Sequence, residues 1–133
     1  MSESILNIRV YYEDTDSGGV VYHANYLKFM ERGRTEWLRE RGFNLDVLNH
    51  EYSVIFVVRT IQLEYLHPGR FNDCLKVYTR LLRHGGASLY FEQTIIQRDQ
   101  GNNLCHATVK VACLNAHTFR PCPMPKKVIS TLF

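Results

Sequence analysis

The chain has 133 residues, of which 45% are hydrophobic and 22% are charged, and its formal net charge is +3. At this length roughly two thirds of the unfolded surface is buried on folding, so a single domain over residues 1–133 can form its own core. No segment approaches the roughly 20 consecutive apolar residues of a membrane-spanning helix. The basic residues are scattered and form no stripe with stacking aromatics. We therefore expect neither membrane insertion nor a nucleic-acid partner.

The N-terminus and the cysteines predict a cytoplasmic protein. Residues 1–9 lack the basic start, apolar stretch and cleavage site of a secretory signal. The four cysteines show no Cys-x-x-Cys spacing, so we expect free thiols in a reducing compartment. A zinc site would have to combine neighbours such as Cys105 and His106, which point to opposite faces of a strand. We therefore expect no metal site.

The first elements are a strand and a long helix. Strand-like alternation in Leu6, Ile8, Val10 and Tyr12 stops before a loop. From Asn25 onward, apolar residues recur at a spacing of three and four, which predicts an amphipathic helix closed by a glycine. These positions are Tyr26, Phe29, Met30, Gly33 and Trp37, and the closing residue is Gly42. A glycine in a helix interior costs about 1 kcal/mol relative to alanine, so we expect a neighbour to pack closely against Gly33.

The remaining elements are mostly strands. Residues 44–52 predict a short helix or a turn region, and residues 54–66, 73–83, 87–98 and 104–114 predict four strands. Turn-forming residues at 84–86 and 99–102 indicate that the last three strands form an antiparallel meander. Residues 120–125 predict an irregular, proline-rich segment. One strand, one long helix and four strands predict an α+β fold, in which the helix packs on one face of an antiparallel sheet.

The connection between the first strand and the long helix is rich in chemically useful residues. Residues 9–26 contain three carboxylates, two glycines and one histidine. A loop held by rigid elements on both sides is a favoured position for functional groups. Taken alone, Asp14 and Asp16 also fit a turn, because aspartate readily hydrogen-bonds to the nearby backbone.

The same passage resembles the signature of the 4-hydroxybenzoyl-CoA thioesterase family, a branch of the hotdog-fold acyl-CoA thioesterases. The matching positions are 9–10, 15–16, 19–22 and 25–26. Within that family the chain is most similar to the YbgC-like subgroup, which is associated with the Tol-Pal cell-envelope system, and this similarity extends to residues 56–59 and 125–126. The resemblance implies a hotdog fold, with a long central helix on a curved antiparallel sheet. It also implies an acyl-CoA substrate and a homodimer or homotetramer that binds it at the subunit boundary.

The resemblance also implies catalytic roles. Asp16 would hydrolyse an acyl-CoA thioester to a carboxylic acid and coenzyme A, either as the nucleophile or as the general base, without a cofactor. Backbone N–H groups around Tyr22 to Asn25 would polarise the carbonyl, because the first turn of a helix leaves such donors unpaired. His23 is a second catalytic candidate, to orient water, bind the thioester or relay a proton. Tyr22 fits a wall of the site better than a reagent.

Other residues are candidates for substrate binding. Gly18 and Gly19 let the backbone turn tightly and let the substrate come close. The full set of binding candidates is Gly19, Val20, Val21, Asn25 and Arg59. Arg59 would meet the phosphates of coenzyme A, with Arg83 and Lys110 as weaker candidates. We interpret Glu13, Asp14, Glu64 and Glu92 as structural, solvated or paired carboxylates.

A second function class remains open. The fold would also serve a non-catalytic module that docks to acyl carrier protein or to an envelope or phospholipid-synthesis complex, since a mildly basic surface suits either case. Asp16 and its glycines favour catalysis, because a pure binding module has no need of that carboxylate. The sequence does not determine the length of the acyl chain or whether it is aromatic.

Overall fold

The computed structural model describes residues 3–133 and contains a five-stranded antiparallel sheet in the order β1-β3-β4-β5-β2. The strands are β1 (Glu3–Arg9), β2 (Val54–Tyr65), β3 (Cys74–His84), β4 (Ser88–Gln97) and β5 (Asn103–Asn115). The helices are α1 (Asn25–Glu40), α2 (Leu45–Tyr52) and α3 (Lys126–Leu132). Strands β3, β4 and β5 form the predicted meander, and β1 and β2 lie at the two edges.

The long helix α1 packs on one face of this sheet. Strand residues alternate between a buried face and a partly exposed one, as in β4, where Phe91 and Ile95 are buried and Tyr90 and Glu92 are partly exposed. The indole of Trp37 meets the Phe91 ring edge-on, with ring centres 5.3 Å apart. The predicted α+β architecture is therefore confirmed.

At Gly33, α1 approaches the sheet closely. A Cβ atom built there would lie 2.8 Å from Oγ1 of Thr79 and 2.9 Å from Cγ1 of Val77, so the expected close neighbour is present. Below this contact, the fully buried Gln93 donates hydrogen bonds from Nε2 to the Met30 carbonyl at 2.8 Å and to Thr79 Oγ1 at 2.9 Å. The absence of a side chain at Gly33 thus lets the helix approach the sheet, and the hydrogen bonds of Gln93 hold it there.

The first strand is shorter than its alternation suggests. It ends at Arg9, and a 3-10 turn over Tyr12–Asp14 follows, so that Tyr12 is 79% exposed. The cause is local, because the Asp14 carboxylate accepts a hydrogen bond from the Tyr11 N–H at 2.8 Å and closes the turn. Tyr12 therefore belongs to the functional loop and not to the strand.

The C-terminal helix α3 is an element that the sequence reasoning missed. It follows Pro125 and buries Val128 and Leu132, which are four residues apart and share one helix face. Residues 120–125 are irregular, as predicted, apart from a bridge between Leu114 and Pro121. Within residues 3–133, no helix has the length and apolarity to cross a bilayer.

Substituting Gly33→Ala tests how tightly α1 is seated. The added methyl group would raise helix propensity by about 1 kcal/mol, but it would collide with Thr79 and Val77, whose β-branched side chains are stiff at χ1. Because overpacking a core costs about 1–3 kcal/mol, we expect the free energy of unfolding to fall by about 1–2 kcal/mol in urea denaturation.

The matched control is Arg32→Ala, at an exposed neighbouring position of the same helix. We expect its free energy of unfolding to stay within about 0.5 kcal/mol of the parent. A Gly33→Ala protein as stable as the parent would show that the helix is free to move away from the sheet.

Candidate active site

Residues 14–22 fold back on themselves as a small hairpin. The Tyr22 N–H donates to the Asp14 carbonyl at 2.8 Å, and the Asp16 N–H donates to the Val20 carbonyl at 2.9 Å. The tip is closed by the Gly19 N–H, which donates to the Asp16 carbonyl at 3.0 Å with Gly19 at a φ of +79°. Three-residue hairpin loops place a residue in this left-handed conformation, which is why a glycine occupies it.

The Asp16 carboxylate lies at this tip and is exposed. Its Oδ1 accepts a hydrogen bond from the Gly18 N–H at 2.8 Å, which fixes the direction of the side chain. Within the described residues, Oδ2 has no hydrogen-bond partner. The turn role that aspartate commonly plays is therefore present, and it leaves one carboxylate oxygen available for chemistry.

Asn25 joins the hairpin to the start of α1. Its side chain is buried, and its Nδ2 donates to the Asp14 carbonyl at 3.0 Å, so the amide holds the loop in place. The Asn25 N–H donates to the Tyr22 carbonyl at 2.8 Å. Two of the four expected carbonyl-polarising donors, those of Tyr22 and Asn25, are therefore already used. In the described chain, the N–H groups of His23 and Ala24 have no acceptor, and they are the donors left for a ligand.

Val20 and Val21 attach the hairpin to the loop between β2 and β3. Val20 forms a bridge with Arg70, and the Val21 N–H donates to the Gly69 carbonyl at 2.8 Å. The side chain of Val21 is buried and forms one wall of a cavity of about 280 Å³. The other lining residues are His23, Tyr26, Tyr65, Leu66, His67 and Pro68.

His23 lies between two tyrosines. Its ring centre is 4.6 Å from that of Tyr22 and 6.2 Å from that of Tyr65, which it meets edge-on. The Tyr65 hydroxyl donates to the His23 carbonyl at 2.9 Å, and burial raises the pKa of this tyrosine. Sequence reasoning missed Tyr65, because the contact joins residues 42 positions apart and leaves no local pattern.

Tyr26 holds the β2–β3 loop through a hydrogen bond. Its hydroxyl oxygen accepts a hydrogen bond from the buried Gly69 N–H at 2.9 Å, and burial raises the pKa of Tyr26. Gly69 is tightly surrounded, because a Cβ atom there would lie 3.2 Å from Tyr26, Val21 and Leu104. The site wall is thus built on a contact between α1 and this loop.

Arg59 is not brought to the Asp16 hairpin within one chain. It is the extra residue of a bulge in the edge strand β2, between Val58, which pairs with Val111, and Thr60. Six residues separate Arg59 from Tyr65, or about 20 Å of extended strand. Its predicted contact with the substrate stays a prediction that needs a longer ligand or a second subunit.

The two weaker phosphate candidates lie together on the outer face of the sheet. The Arg83 guanidinium carbon is 3.7 Å from the centre of the Tyr90 ring, and Lys110 Nζ is 5.6 Å from the same centre. Hydrogen bonds from Ser88 and Lys110 lower the pKa of Tyr90. The pairing of β3, β4 and β5 places Arg83, Tyr90 and Lys110 in one row across the sheet, and we call these three residues the cationic row.

Glu92 is paired, as interpreted from the sequence. Its carboxylate accepts a hydrogen bond from Arg80 at 2.5 Å, which lowers the pKa of Glu92, and it lies 3.4 Å from His106 Nε2. Among residues 3–133, no cluster of three or more histidine, cysteine or acidic side chains is arranged to hold a metal ion. Burial also raises the pKa of Cys105 to about 12, which disfavours the thiolate that zinc binds.

A second and larger concavity runs along α1, and we call it the α1 groove. Its volume is about 420 Å³, and it lies between α1 and strands β2, β4 and β5. The helix contributes Leu27, Lys28, Glu31, Arg34, Thr35 and Leu38, and the remaining lining residues are Leu45, Phe56, Val58, Ile61, Leu89, Phe91 and Val111. The groove is mainly apolar and begins in the first turn of α1, directly after His23 and Ala24.

A Tyr26→Phe substitution tests whether Tyr26 fastens the site wall. Removing the hydroxyl would leave the buried Gly69 N–H without an acceptor, which costs about 1–3 kcal/mol. We expect the free energy of unfolding to fall by that amount in urea denaturation. Tyr22→Phe is the matched control, because Tyr22 is 46% exposed, and we expect a change within about 0.5 kcal/mol. Equal effects of the two substitutions would contradict the assignment.

Residues 10–132 match the thioesterase-like superfamily. Acyl-CoA thioesterase YbgC of Haemophilus influenzae is 45% identical over 121 residues, which cover 91% of this chain and 88% of that protein. Acyl-CoA thioester hydrolase YbgC of Escherichia coli O6:H1 is 43% identical over 123 residues, covering 92% and 90%.

Solved structures agree with this match. A probable thioesterase from Bartonella henselae superposes with a TM-score of 0.87 at 37% identity, covering 93% of this chain and all of that one. A DHNA-CoA thioesterase from Staphylococcus aureus has a TM-score of 0.92 at 21% identity, covering 99% and 89%, and shows the fold alone. The predicted hotdog fold and the resemblance to YbgC proteins are therefore confirmed. The chain belongs to the thioesterase-like superfamily, and YbgC proteins are among its relatives.

Proposed function

We propose that this protein is an acyl-CoA thioesterase that hydrolyses a thioester to a carboxylic acid and coenzyme A, with Asp16 as its reacting carboxylate. The observation that carries the proposal is the hydrogen bonding of the Asp16 carboxylate. Among the residues that the structure describes, one carboxylate oxygen is held by the Gly18 N–H and the other has no partner, and in the same short connection the His23 and Ala24 N–H groups have no acceptors. The names of the YbgC relatives support the same activity.

The reaction follows from these groups. The thioester carbonyl oxygen accepts hydrogen bonds from the His23 and Ala24 N–H groups, which stabilise the negative charge that develops as the carbon becomes tetrahedral. In one route Asp16 Oδ2 attacks the carbonyl carbon, the C–S bond breaks, and water then hydrolyses the mixed anhydride. In the other route Asp16 takes a proton from a water molecule that attacks directly. In both routes the coenzyme A thiolate leaves and takes up a proton.

His23 and Tyr22 have supporting roles in this proposal. The His23 ring is held between Tyr22 and Tyr65, beside the cavity that Val21 lines, where it can orient water or hydrogen-bond to the thioester. Tyr22 forms the outer wall of this cluster. Gly19 and Val20 shape the hairpin and bring its backbone close to the substrate.

The α1 groove takes the acyl group. It starts in the turn of α1 that contains Leu27 and Lys28, next to the free N–H donors, and its lining is mainly apolar. Sites for small ligands are usually apolar cavities with a few polar groups that fix orientation. An acyl chain that enters beside the hairpin would therefore lie along the helix.

Coenzyme A requires a longer surface than one hairpin. The outer edge of β2 is unpaired in the sheet, and a second copy that adds there in antiparallel fashion would bring one subunit's Tyr65 end towards the other's Val54 end. Arg59 and the cationic row would then lie nearer to the partner's hairpin, and they would bind the phosphates. A homodimer is the smallest assembly that fits this scheme, and a homotetramer would pair two of them.

Three further properties belong to the proposal. An association with the Tol-Pal system rests on the resemblance to the YbgC-like subgroup. A cytoplasmic location is supported by the free cysteines, and an acyl carrier protein as a second partner by the mildly basic surface. We also propose that residues 1–133 form a single hotdog domain.

Release of free coenzyme A thiol from a graded panel of acyl-CoAs, including a benzoyl type, tests the activity. Asp16→Asn keeps an oxygen that can accept from the Gly18 N–H and so preserves the turn. We expect it to lower kcat/KM by about 10³-fold or more, equivalent to about 4 kcal/mol of barrier.

Asp14→Asn is the matched control, since it makes the same change two residues away in the same loop. We expect its kcat/KM to stay within about tenfold of the parent. Absence of turnover on every substrate, or equal turnover in parent and Asp16→Asn proteins, would reject catalysis by Asp16 and favour the carrier-protein binding module.

The cationic row generates a separate kinetic prediction. If it binds phosphates, Arg83→Gln should raise KM by about two- to fivefold, because an exposed ion pair contributes up to about 1 kcal/mol. We expect kcat to change by less than about twofold, since the row is remote from the reacting carbon. Arg98→Gln, an exposed arginine at the other end of the sheet, is the control. Equal effects of the two variants on KM would contradict phosphate binding by the cationic row.

A further inference from the structure

Arg34 is a charged residue buried inside the α1 groove. It is only 8% exposed, although it carries a guanidinium on a helix that packs against the sheet. Its Nη1 donates to Oε1 of the buried Gln93 at 2.9 Å. A guanidinium has five N–H donors in a planar fork, and within the described residues this is the only hydrogen bond that Arg34 makes. The other N–H groups of this guanidinium have no acceptor among residues 3–133.

The charge of Arg34 is also poorly compensated. Glu31 is the acidic residue that acts on it electrostatically, yet no carboxylate of the described chain lies within 4.0 Å of the guanidinium. Burial lowers the pKa of Arg34, because the low-dielectric surroundings disfavour the charged form. The charged residues that line the groove are Lys28, Arg34 and Glu31, so cations exceed anions there. A buried cation with so little compensating negative charge is stabilised by an anionic partner.

The position of Arg34 lies on the proposed path of the substrate. Nine residues separate it from Asn25 at the start of α1, or about 14 Å along the helix axis. The groove connects the two points, since its lining residues on α1 run from Leu27 in the first turn past Arg34 to Leu38. A ligand whose thioester lies at the hairpin would therefore present the far part of its acyl chain to the guanidinium.

We propose that Arg34 recognises a carboxylate at the distal end of the acyl group, so that the preferred substrates are ω-carboxyacyl thioesters. This inference rests on the proposed thioesterase function and adds the chemical class of its acyl group. A carboxylate matches the planar fork of a guanidinium with two parallel hydrogen bonds, whereas a plain alkyl end leaves the buried cation unpaired. The apolar walls, which include Phe56 and Ile61, would hold the methylene chain between the two ends.

A purely structural role for Arg34 is the competing explanation. Gln93 donates both of its Nε2 hydrogens, to Met30 and Thr79, and Arg34 supplies the donor for its remaining Oε1. In that case Arg34 would support the helix–sheet contact and would not distinguish one acyl group from another. The ratio of kcat/KM between two substrates separates the two roles, because a structural defect lowers the activity on all substrates together.

The test measures kcat/KM for pairs of thioesters of equal chain length, one ω-carboxyacyl-CoA and one plain acyl-CoA. We expect the parent protein to prefer the ω-carboxyacyl member by about tenfold or more, which is the range for a hydrogen bond to a charged group. In Arg34→Met this ratio should fall to about one or below. Arg32→Met removes a cation from the exposed face of the same helix, outside the groove lining, and its ratio should stay within about twofold of the parent's.

Arg34→Met leaves Gln93 Oε1 without a donor and risks instability. A second variant, Arg34→Gln, keeps an N–H donor for Gln93 Oε1 without the positive charge, and it should show a similar loss of preference. A parent protein without preference, or an equal loss on both members of the pair in the Arg34 variants, would overturn the inference.

Calorimetric titration with two methyl esters of equal chain length, one with a free carboxylate at the distal end and one with a plain alkyl end, separates this inference from the proposed function. We expect the ester with the distal carboxylate to bind the parent at least about tenfold more tightly, and this advantage to vanish in Arg34→Met. If no thioester is hydrolysed, the thioesterase proposal fails, and this binding difference still supports recognition by Arg34. Equal binding of the two esters to the parent protein would reject that recognition.

Discussion

Two N–H donors converge on one carbonyl oxygen, that of Asp14, and through it the hairpin is fixed to the start of the long helix. The donors are the backbone N–H of Tyr22 and the side-chain amide of Asn25. Because both are used in this way, the hairpin tip and the first turn of α1 form one rigid unit. That unit holds the carboxylate of Asp16 in a fixed direction, and within the described part of the chain it leaves the N–H groups of His23 and Ala24 free for a carbonyl oxygen.

The position of the unit depends in turn on how α1 lies against the sheet. Gly33 brings the helix close to Thr79, and the next residue, Arg34, reaches the groove on the same helix. One helix therefore supplies the carbonyl-binding end, the wall of the acyl groove and a buried cation. A shift of α1 along the sheet would alter all three, which explains why a small residue and the buried Gln93 occupy the contact.

Much of the fold, and the candidate carboxylate, were predictable from the sequence because they depend on local patterns. Helical spacing located α1, alternation located the meander, and the match to a family frame singled out Asp16. Other features depend on contacts between distant residues and leave no local signal. The hydrogen bond from Tyr65 to His23 and the burial of Arg34 in a groove are of this kind. The donors that remain free at the helix start were also beyond sequence reasoning, because they depend on the hairpin geometry.

The most direct test of the central claim is a crystal structure of the Asp16→Asn protein with a bound, unhydrolysed acyl-CoA. The account predicts a thioester oxygen about 2.7–3.1 Å from the His23 or Ala24 nitrogen, the range for donors that stabilise such an oxygen. The substituted amide side chain at position 16 should face the carbonyl carbon, and the acyl chain should lie in the α1 groove. A thioester bound away from the hairpin, or an acyl chain outside that groove, would contradict it.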